Sequence, residues 1–425
     1  MARTRVPRPP ALRYRAARRT DVETLADLGF RAYRVHSLEK RREFYTDHPR
    51  FTVKDVRVGE LDGQIVASLV LYPLTGYVRG ARLPIAGVGS VAVSPEHRRR
   101  GIAEMLMRAM LRELRQGGRA FSVLYPFRGS FYRKFGYGTI EQTHVLSISP
   151  KSLPASDEMR WVRRLMLPDR PAVQALYDRV AEKGHFALAR VNEWWTQRLW
   201  SYPGDWVVYE GRRRGQIEGY LYYEIDSSRG PFQLEIEVKE FVAASPHAHR
   251  GLVGYLASLA DQVALIEAAV PADNTWPTLL RNAENQKPGP AIGVYNDTGN
   301  LASGAMLRIT DVKAALELYP VASVARGEVV LDVEDALLPP NARAYRVSAR
   351  EGRLKVGFET VRAGVRPRAP RVRLGVDALA TLLAGTVSPS RAAEAGIVDS
   401  SNGGAETIEH WFRARPAFLY QLNGF

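Results

Sequence analysis

Two places in this chain hold residue types whose spacing can do chemistry. Between Val91 and Ala103 the sequence reads Val-Ala-Val-Ser-Pro-Glu-His-Arg-Arg-Arg-Gly-Ile-Ala, an apolar strand running through an Arg/Gly-rich turn into a helix. The first N–H groups of a helix lack partners and carry the positive end of its dipole, so such a turn can hold a pyrophosphate. Gly101 lets the backbone approach closely, and Arg98, Arg99 and Arg100 add charge-assisted donors. A basic turn that is merely solvated above a sheet-packing helix has the same residues. The second place is Phe131-Tyr132-Arg133-Lys134-Phe135-Gly136-Tyr137-Gly138. A phenol stays protonated at neutral pH and can give its proton to a leaving group, which makes Tyr132 a candidate general acid. Set between Phe131 and Phe135, it also reads as a core aromatic. Tyr137 is its neighbour and is read as structural.

These residues need elements to hold them. Ile102, Met105, Leu106, Ala109, Met110 and Leu114 recur with the three-four spacing of one buried helix face, while Glu104, Arg108, Arg112 and Arg115 mark the other. Upstream, a helix is predicted through Leu25, Leu28 and Ala32, with Asp21 placed to cap it. A hairpin follows, turning at Asp62-Gly63 between strands Val56 to Leu61 and Gln64 to Leu71. Helix, hairpin, strand, helix, strand is the order of an α/β domain with a mixed sheet.

The turn resembles the coenzyme A motif of the GNAT superfamily of N-acetyltransferases, Gln/Arg-x-x-Gly-x-Gly/Ala, met here by Arg98, Gly101 and Ala103. The distance to the Tyr132 segment matches as well. Together with the length and the aromatic chain end, the resemblance narrows to the Eis (enhanced intracellular survival) family. It implies acetyl-CoA as cosubstrate, with Val91, Ala92 and Val93 directing N–H groups at the thioester and pantetheine. Arg98, Arg99, Arg100, Gly101, Ile102, Ala103 and Glu104 would surround the pyrophosphate, and Phe127 and Arg128 would line the coenzyme farther on. It also implies that Tyr132 protonates the thiolate and that the carboxylate of the last residue, Phe425, accepts the amine proton. Tails usually fray, but one bearing Phe418, Leu419, Tyr420, Leu422 and Phe425 exposes apolar surface that favours docking. A free α-carboxylate is a weak base, with a pKa of roughly 3.3–3.7, so its positioning matters more than its basicity.

An internal repeat follows the first domain. Asp21 is echoed by Asp169, Gly63-Gln64-Ile65 by Gly215-Gln216-Ile217, and Ser94-Pro95 by Ser245-Pro246, at offsets of 148, 152 and 151 residues. The second copy reads Val242-Ala243-Ala244-Ser245-Pro246-His247-Ala248-His249-Arg250-Gly251-Leu252, one residue shorter and with a single Arg before its Gly. It is expected to bind coenzyme weakly or not at all and to be structural. His247 and His249 lack a further ligand cluster and read as polar turn residues, so no metal is expected.

From about Asp311 the pattern changes to strands at Val329 to Val333, Tyr345 to Ala349 and Leu354 to Phe358, then helices at Val376 to Leu383 and Ser390 to Ala395. Order and position resemble the sterol-carrier-like α+β domain that closes Eis-family proteins. The expected architecture is therefore α/β (α+β), with two tandem GNAT-like mixed-sheet domains at 1–150 and 151–310, the second degenerate. A sterol-carrier-like domain at 311–425 would return the chain end to the first.

Composition limits the alternatives. The chain has 425 residues and 45% hydrophobic content, enough for two or three packed domains. With no cysteine, it has no disulfide, thiolate metal site or Cys-based acyl-enzyme. The first twenty residues lack the apolar core of a signal peptide and no segment approaches a membrane span, so a cytoplasmic protein is expected. The net charge of +15 is spread from Arg3 to Arg19, through Arg212 to Arg214, to Arg366 to Arg373, with no recognised nucleic-acid module. The resemblance implies an aminoglycoside-like, polyamine or lysine acceptor, small molecule or peptide, and a homo-oligomer, either a homo-hexamer arranged as a dimer of trimers or its trimer. A net positive chain weakens the case for a polycationic acceptor. The alternatives are a lipid carrier acting through the third domain beside an idle coenzyme fold, and, ranked last, a basic nucleic-acid-associated protein.

Overall fold

The computed structural model describes residues 12–34, 37–211, 215–281, 297–359 and 369–425. Of the basic clusters, Arg3 to Arg8, Arg212 to Arg214 and Arg366 to Arg368 lie outside the described residues. Three mixed sheets carry the fold. In the first, the strands run in the order Arg13–Ala16, Val56–Leu61, Gln64–Val78, Ala81–Val93, Phe121–Leu124, Met306–Ile309, Gly138–Thr139, with Ala187–Leu188 pairing onto Gln64–Val78. The hairpin turns at Asp62-Gly63 as expected, both residues at positive φ. The second sheet runs Gly299–Ser303, Gln142–Ile148, Val263–Pro271, Leu234–Ala243, Ile217–Asp226, Asp205–Glu210, Val162–Arg164. The third runs Arg353–Phe358, Arg343–Arg350, Glu328–Glu334, Arg371–Gly375, Asp399–Ser401 and is covered by Val376–Leu383 and Gly404–Phe412. Leu331, Val347, Leu379, Leu382, Ile408 and Trp411 are fully buried in its core.

The sheets do not part at residues 150 and 310. Gln142–Ile148 pairs with Val263–Pro271 in the second sheet, and Met306–Ile309 inserts between Phe121–Leu124 and Gly138–Thr139 in the first. The two strands exchange places where Gly304 N–H donates to Glu141 O at 2.9 Å. Both are short, Gln-Thr-His-Val-Leu-Ser-Ile and Met-Leu-Arg-Ile, and their pattern carries no information about which sheet they join.

The repeat extends to an ion-pair network. Arg15 holds Asp21 at 2.7 Å and Glu60 at 2.5 Å, and Arg163 holds Asp169 and Glu210, each at 2.6 Å. Asp21 was expected to cap the Val22–Tyr33 helix, but makes no side-chain cap bond to it. Its carboxylate accepts the Arg18 N–H at 2.7 Å, closing a preceding 3-10 turn, as Asp169 does for Met166 N–H at 2.8 Å. The Arg15 guanidinium, above all other causes, holds the Asp21 carboxyl below its ordinary range, and Arg163 does the same for Asp169.

The helix after the Arg/Gly turn spans Ile102–Gln116. Its buried stripe includes Met107 and Leu111, while Met105 and Ala109 are only half-buried, because a sheet-packing face is wider than one narrow seam. Arg115, expected on the solvent face, donates to Thr310 O at 2.8 Å and Asn341 Oδ1 at 2.6 Å, tying this helix to the third domain.

Candidate active site

Ala81–Val93 pairs in parallel with Phe121–Leu124 only from Ile85 to Gly87, and beyond Gly87↔Val123 the two strands separate. On its other edge the same strand stays paired with Gln64–Val78 to Val93, with a register shift opposite Gly89 and Ala92. Ser90 takes a positive φ of 48° in this irregular stretch. Separation opens a cavity of about 590 Å³ lined by Ser90, Val91, Ala92, Val93, Arg98, Ala103, Phe127, Phe131, Tyr132 and Phe425, among others. The parted edge from Ser90 to Val93 lines this space, and there Val91 O accepts from the Tyr33 hydroxyl at 2.8 Å.

At its far end the turn is built for an anion. Arg99 has φ 61° and Gly101 φ 76°, and the helix starts at Ile102 with Gly101 as N-cap and no side-chain cap bond. Its first N–H groups are thus aimed into the turn. An added Cβ at Gly101 would meet nothing within 4 Å, so the glycine serves the left-handed backbone and the open approach. Of the expected coenzyme residues, Val91, Ala92, Val93, Arg98, Ala103 and Phe127 line the cavity, whereas Arg99, Arg100, Gly101, Ile102, Glu104 and Arg128 do not. Arg99, Arg100 and Arg128 are exposed at or near the rim. Ile102 is buried in the core, and the exposed Glu104 pairs with Arg108 at 2.7 Å, so neither side chain faces the cavity. Phe127 is 73% exposed beside Phe131, at 5.5 Å between ring centroids.

Tyr132 lies on the short helix Gly129–Arg133, 3% exposed and facing the cavity. Burial, with Tyr33 and Tyr137 adding to it, pushes its pKa above that of an ordinary phenol, so it keeps its proton. Tyr137 is fully buried with its hydroxyl 2.8 Å from Ser122 Oγ, a structural environment.

The chain end is docked. The Phe425 ring packs between Tyr72 and Tyr125, at 5.5 and 5.4 Å. Its carboxyl lies over Gly89, where a Cβ would come 3.2 Å from the Phe425 carbon and 3.4 Å from its oxygen. Arg50 Nη1 donates to Asn423 O at 3.0 Å and Nη2 to Gly424 O, with the guanidinium 3.6 Å from the Trp194 ring centroid. Burial pushes the Arg50 pKa down to about 10. Leu419 N–H donates to Glu141 Oε1 at 2.8 Å, and Trp194 Nε1 donates to Leu422 O at 3.0 Å. None of these anchors has a sequence motif. Besides the tail's own apolar composition, a legible hint is Gly87-Val88-Gly89 inside an apolar strand, the mark of a close approach.

The second copy differs at the matching place. Its helix, Pro246–Ser258, starts at Pro246, and Ser245 Oγ accepts the Ala248 N–H at 3.1 Å. Residues 247–250, which match the open turn, form its first helical turn. His247 Nδ1 lies 2.9 Å from Glu158 Oε1, and His249 packs against Phe241 and Trp276. Among the described residues no group of His, Asp or Glu is arranged to hold a metal.

Residues 13–140 and 187–309 each match a family described as Acetyltransferase (GNAT) domain, and residues 312–420 match one described as Sterol carrier protein domain. The N-acetyltransferase Eis of Mycobacterium tuberculosis is 27% identical over 358 residues, covering 80% of this chain and 81% of that protein. The chain belongs to the Eis family of GNAT N-acetyltransferases. It is thus an acyltransferase. An uncharacterised N-acetyltransferase of Streptomyces griseus is 27% identical over 350 residues, covering 78% of this chain and 79% of that one. In fold, a GCN5-related N-acetyltransferase from Anabaena variabilis superposes with a TM-score of 0.81 at 20% identity, covering 98% of this chain and 100% of that one. The Eis-type order of two acetyltransferase domains and a sterol-carrier domain is therefore that of the whole chain. Among the described residues no helix is long and apolar enough to cross a membrane.

Proposed function

We propose that the chain transfers acetyl from acetyl-CoA to a primary amine of an aminoglycoside-like, polyamine or lysine acceptor, with Tyr132 as proton donor and the Phe425 carboxylate as proton acceptor. The observation that carries this is the convergence of Tyr132 and the chain terminus on one cavity beside the parted strands. When bound, acetyl-CoA supplies the acetyl group as a thioester. The open turn at Arg98 to Gly101 suits its pyrophosphate, and the edge at Ser90 to Val93 suits its amide arm and thioester oxygen. The incoming ammonium gives a proton to the Phe425 carboxylate, directly or through water, and the nitrogen attacks the acetyl carbon. As the carbon–sulfur bond breaks, Tyr132 protonates the sulfur. As the amide forms, the nitrogen sheds its second proton to solvent; Tyr132 regains one from solvent and the carboxylate releases one, so ammonium and thioester give amide, thiol and one net proton.

Among the described residues lining the cavity there is no Asp or Glu side chain, and the chain end is the one carboxylate. Aromatic walls and a single anion suit a lysine-type acceptor, one ammonium on an apolar stem, better than a polycation, which needs several anions to replace its hydration. A hexamer is proposed from the family resemblance and is checked by the mass in solution. The function is tested by thiol release from acetyl-CoA with lysine peptides, polyamines and aminoglycosides, comparing the intact chain with Tyr132→Phe. Amine-dependent release that falls about 10²–10⁴-fold in the variant is the expected result. No release with any amine, or full release by Tyr132→Phe, would overturn it.

A further inference from the structure

The strand pair that parts in the first domain parts again in the second, where no coenzyme turn is left. Leu234–Ala243 runs parallel to Val263–Pro271 as far as Val238↔Ala268 and then separates. Val238 lies 151 residues after Gly87, the repeat offset. The C-terminal segment walls the space between the parted ends, leaving a cavity of about 290 Å³. Phe418 and Tyr420 line it together with Lys239 to Ala243 and Ala269 to Pro271. Gln421 Nε2 donates to Glu237 Oε1 at 3.3 Å just before the separation.

From there the segment turns sharply, Tyr420 taking φ 59°, and enters a buried polar latch. Asn423 is 1% exposed. Its Oδ1 accepts from Arg190 Nε at 2.7 Å, and its Nδ2 donates to Tyr177 Oη at 2.7 Å and Leu419 O at 2.6 Å. Arg190 is itself fixed by Glu240, with bonds of 2.9 and 2.5 Å and both side chains essentially inaccessible, and Tyr220 donates to the same carboxylate at 2.7 Å. The guanidinium also stacks 3.7 Å from the Tyr177 ring centroid. A short side chain with every polar atom engaged inside a rigid network fixes the backbone that bears it, and the terminal carboxylate is two residues farther on. A tail needing only apolar docking would not require a buried, fully paired cluster at this point, since such clusters cost desolvation.

We propose that the second domain, without a coenzyme turn of its own, is the seat of the C-terminal segment, and that Asn423, gripped by Arg190 and Tyr177, is the positioning residue that sets where the Phe425 carboxylate sits. This rests on the proposed role of that carboxylate. Strand divergence kept from the duplication thus receives the chain's own tail in the second copy.

The test compares the intact chain, Asn423→Ala, the chain lacking only Phe425, and the combination. Turnover at saturating acetyl-CoA and amine is expected to fall about 10-fold or more in Asn423→Ala, since small misplacements of a reacting group are costly. The melting temperature is expected to fall, since the buried Arg190 Nε and Leu419 O lose their partner, so turnover is read well below it; the KM for acetyl-CoA should stay close to that of the intact chain. In the chain lacking Phe425 the same substitution should cost nothing further, because the group it positions is gone. Equal losses in both backgrounds would show a structural role and overturn the proposal, as would full turnover by Asn423→Ala. Full turnover by the chain lacking Phe425 would instead remove the role of the carboxylate itself. A readout independent of activity is the rate at which carboxypeptidase releases Phe425, expected to rise at least about 10-fold in Asn423→Ala if local opening controls access. An unchanged rate would show that Asn423 does not seat the tail, whatever the turnover.

Discussion

Gly89→Ala perturbs the docked terminus from the strand beneath it. A Cβ at this position comes 3.2 Å from the Phe425 carbon, 3.4 Å from its oxygen and 2.9 Å from Tyr72 Cε2. Comfortable carbon contacts begin near ~3.5–4.0 Å. The Tyr72 ring, 2% exposed and packed against Phe51, must yield to its own 2.9 Å contact, and the chain end must yield separately to the contacts on its carboxyl. It must recede by roughly half an ångström, and if an ångström of misplacement costs about 10²-fold, half of that costs about 10-fold in kcat. That is about 1.4 kcal/mol on the barrier. Steady-state thiol release at saturating substrates measures it, with melting curves to show that the fold is retained. The chain lacking Phe425 is the control: without the terminal group the alanine meets only Tyr72, and most of its effect on turnover should vanish. An unchanged kcat in the full chain, or the same loss in the shortened one, would refute the placement of the carboxylate over Gly89.

Further outcomes follow from the same geometry. Arg98→Ala removes a cationic donor from the cavity wall and should raise the KM for acetyl-CoA about 10-fold, in line with a charged hydrogen bond worth about 1.5–3 kcal/mol. A change in kcat alone would contradict that role. Calorimetric titration should find one coenzyme per chain, because the second copy starts its helix where the first keeps an open turn; two sites would overturn that reading. His185 is 4% exposed with Nε2 2.7 Å from Leu383 O, and burial pushes its pKa down to about 4. The unfolded chain binds this proton near the ordinary ~6.5 and the native chain only near 4, so stability rises with pH through that window and is complete above it. Up to about 3 kcal/mol is therefore lost on acidification from pH 6.5 to 4, and His185→Gln should flatten that slope in pH-dependent melting; an unchanged slope would contradict the buried neutral imidazole.

What the sequence disclosed was local. The Arg98 to Ala103 turn, the hairpin at Asp62-Gly63 and the helix from Ile102 are written in contiguous residues with strong backbone preferences, and so were legible. The apolar tail gave its docking away through its composition. The hidden features connect distant segments. Gln142–Ile148 and Met306–Ile309 exchange sheets, and their neighbours in sequence do not say which edge accepts them. Arg50, Arg190, Glu240 and Asn423 meet only in the folded molecule, and a charged residue destined for burial looks like any surface charge in the chain. Asp21 shows the same limit at shorter range: its type and position suit a helix cap, yet Arg15 and the Arg18 N–H take its carboxylate.

The account depends most on the reaction using the chain's own terminus. Amine-dependent thiol release should be compared between the full chain and a chain lacking only Phe425, at saturating acetyl-CoA, with coenzyme binding measured in parallel. The expected result is intact coenzyme binding with turnover reduced by about 10²-fold or more, the loss of a positioned proton acceptor. Full turnover by the shortened chain would contradict it.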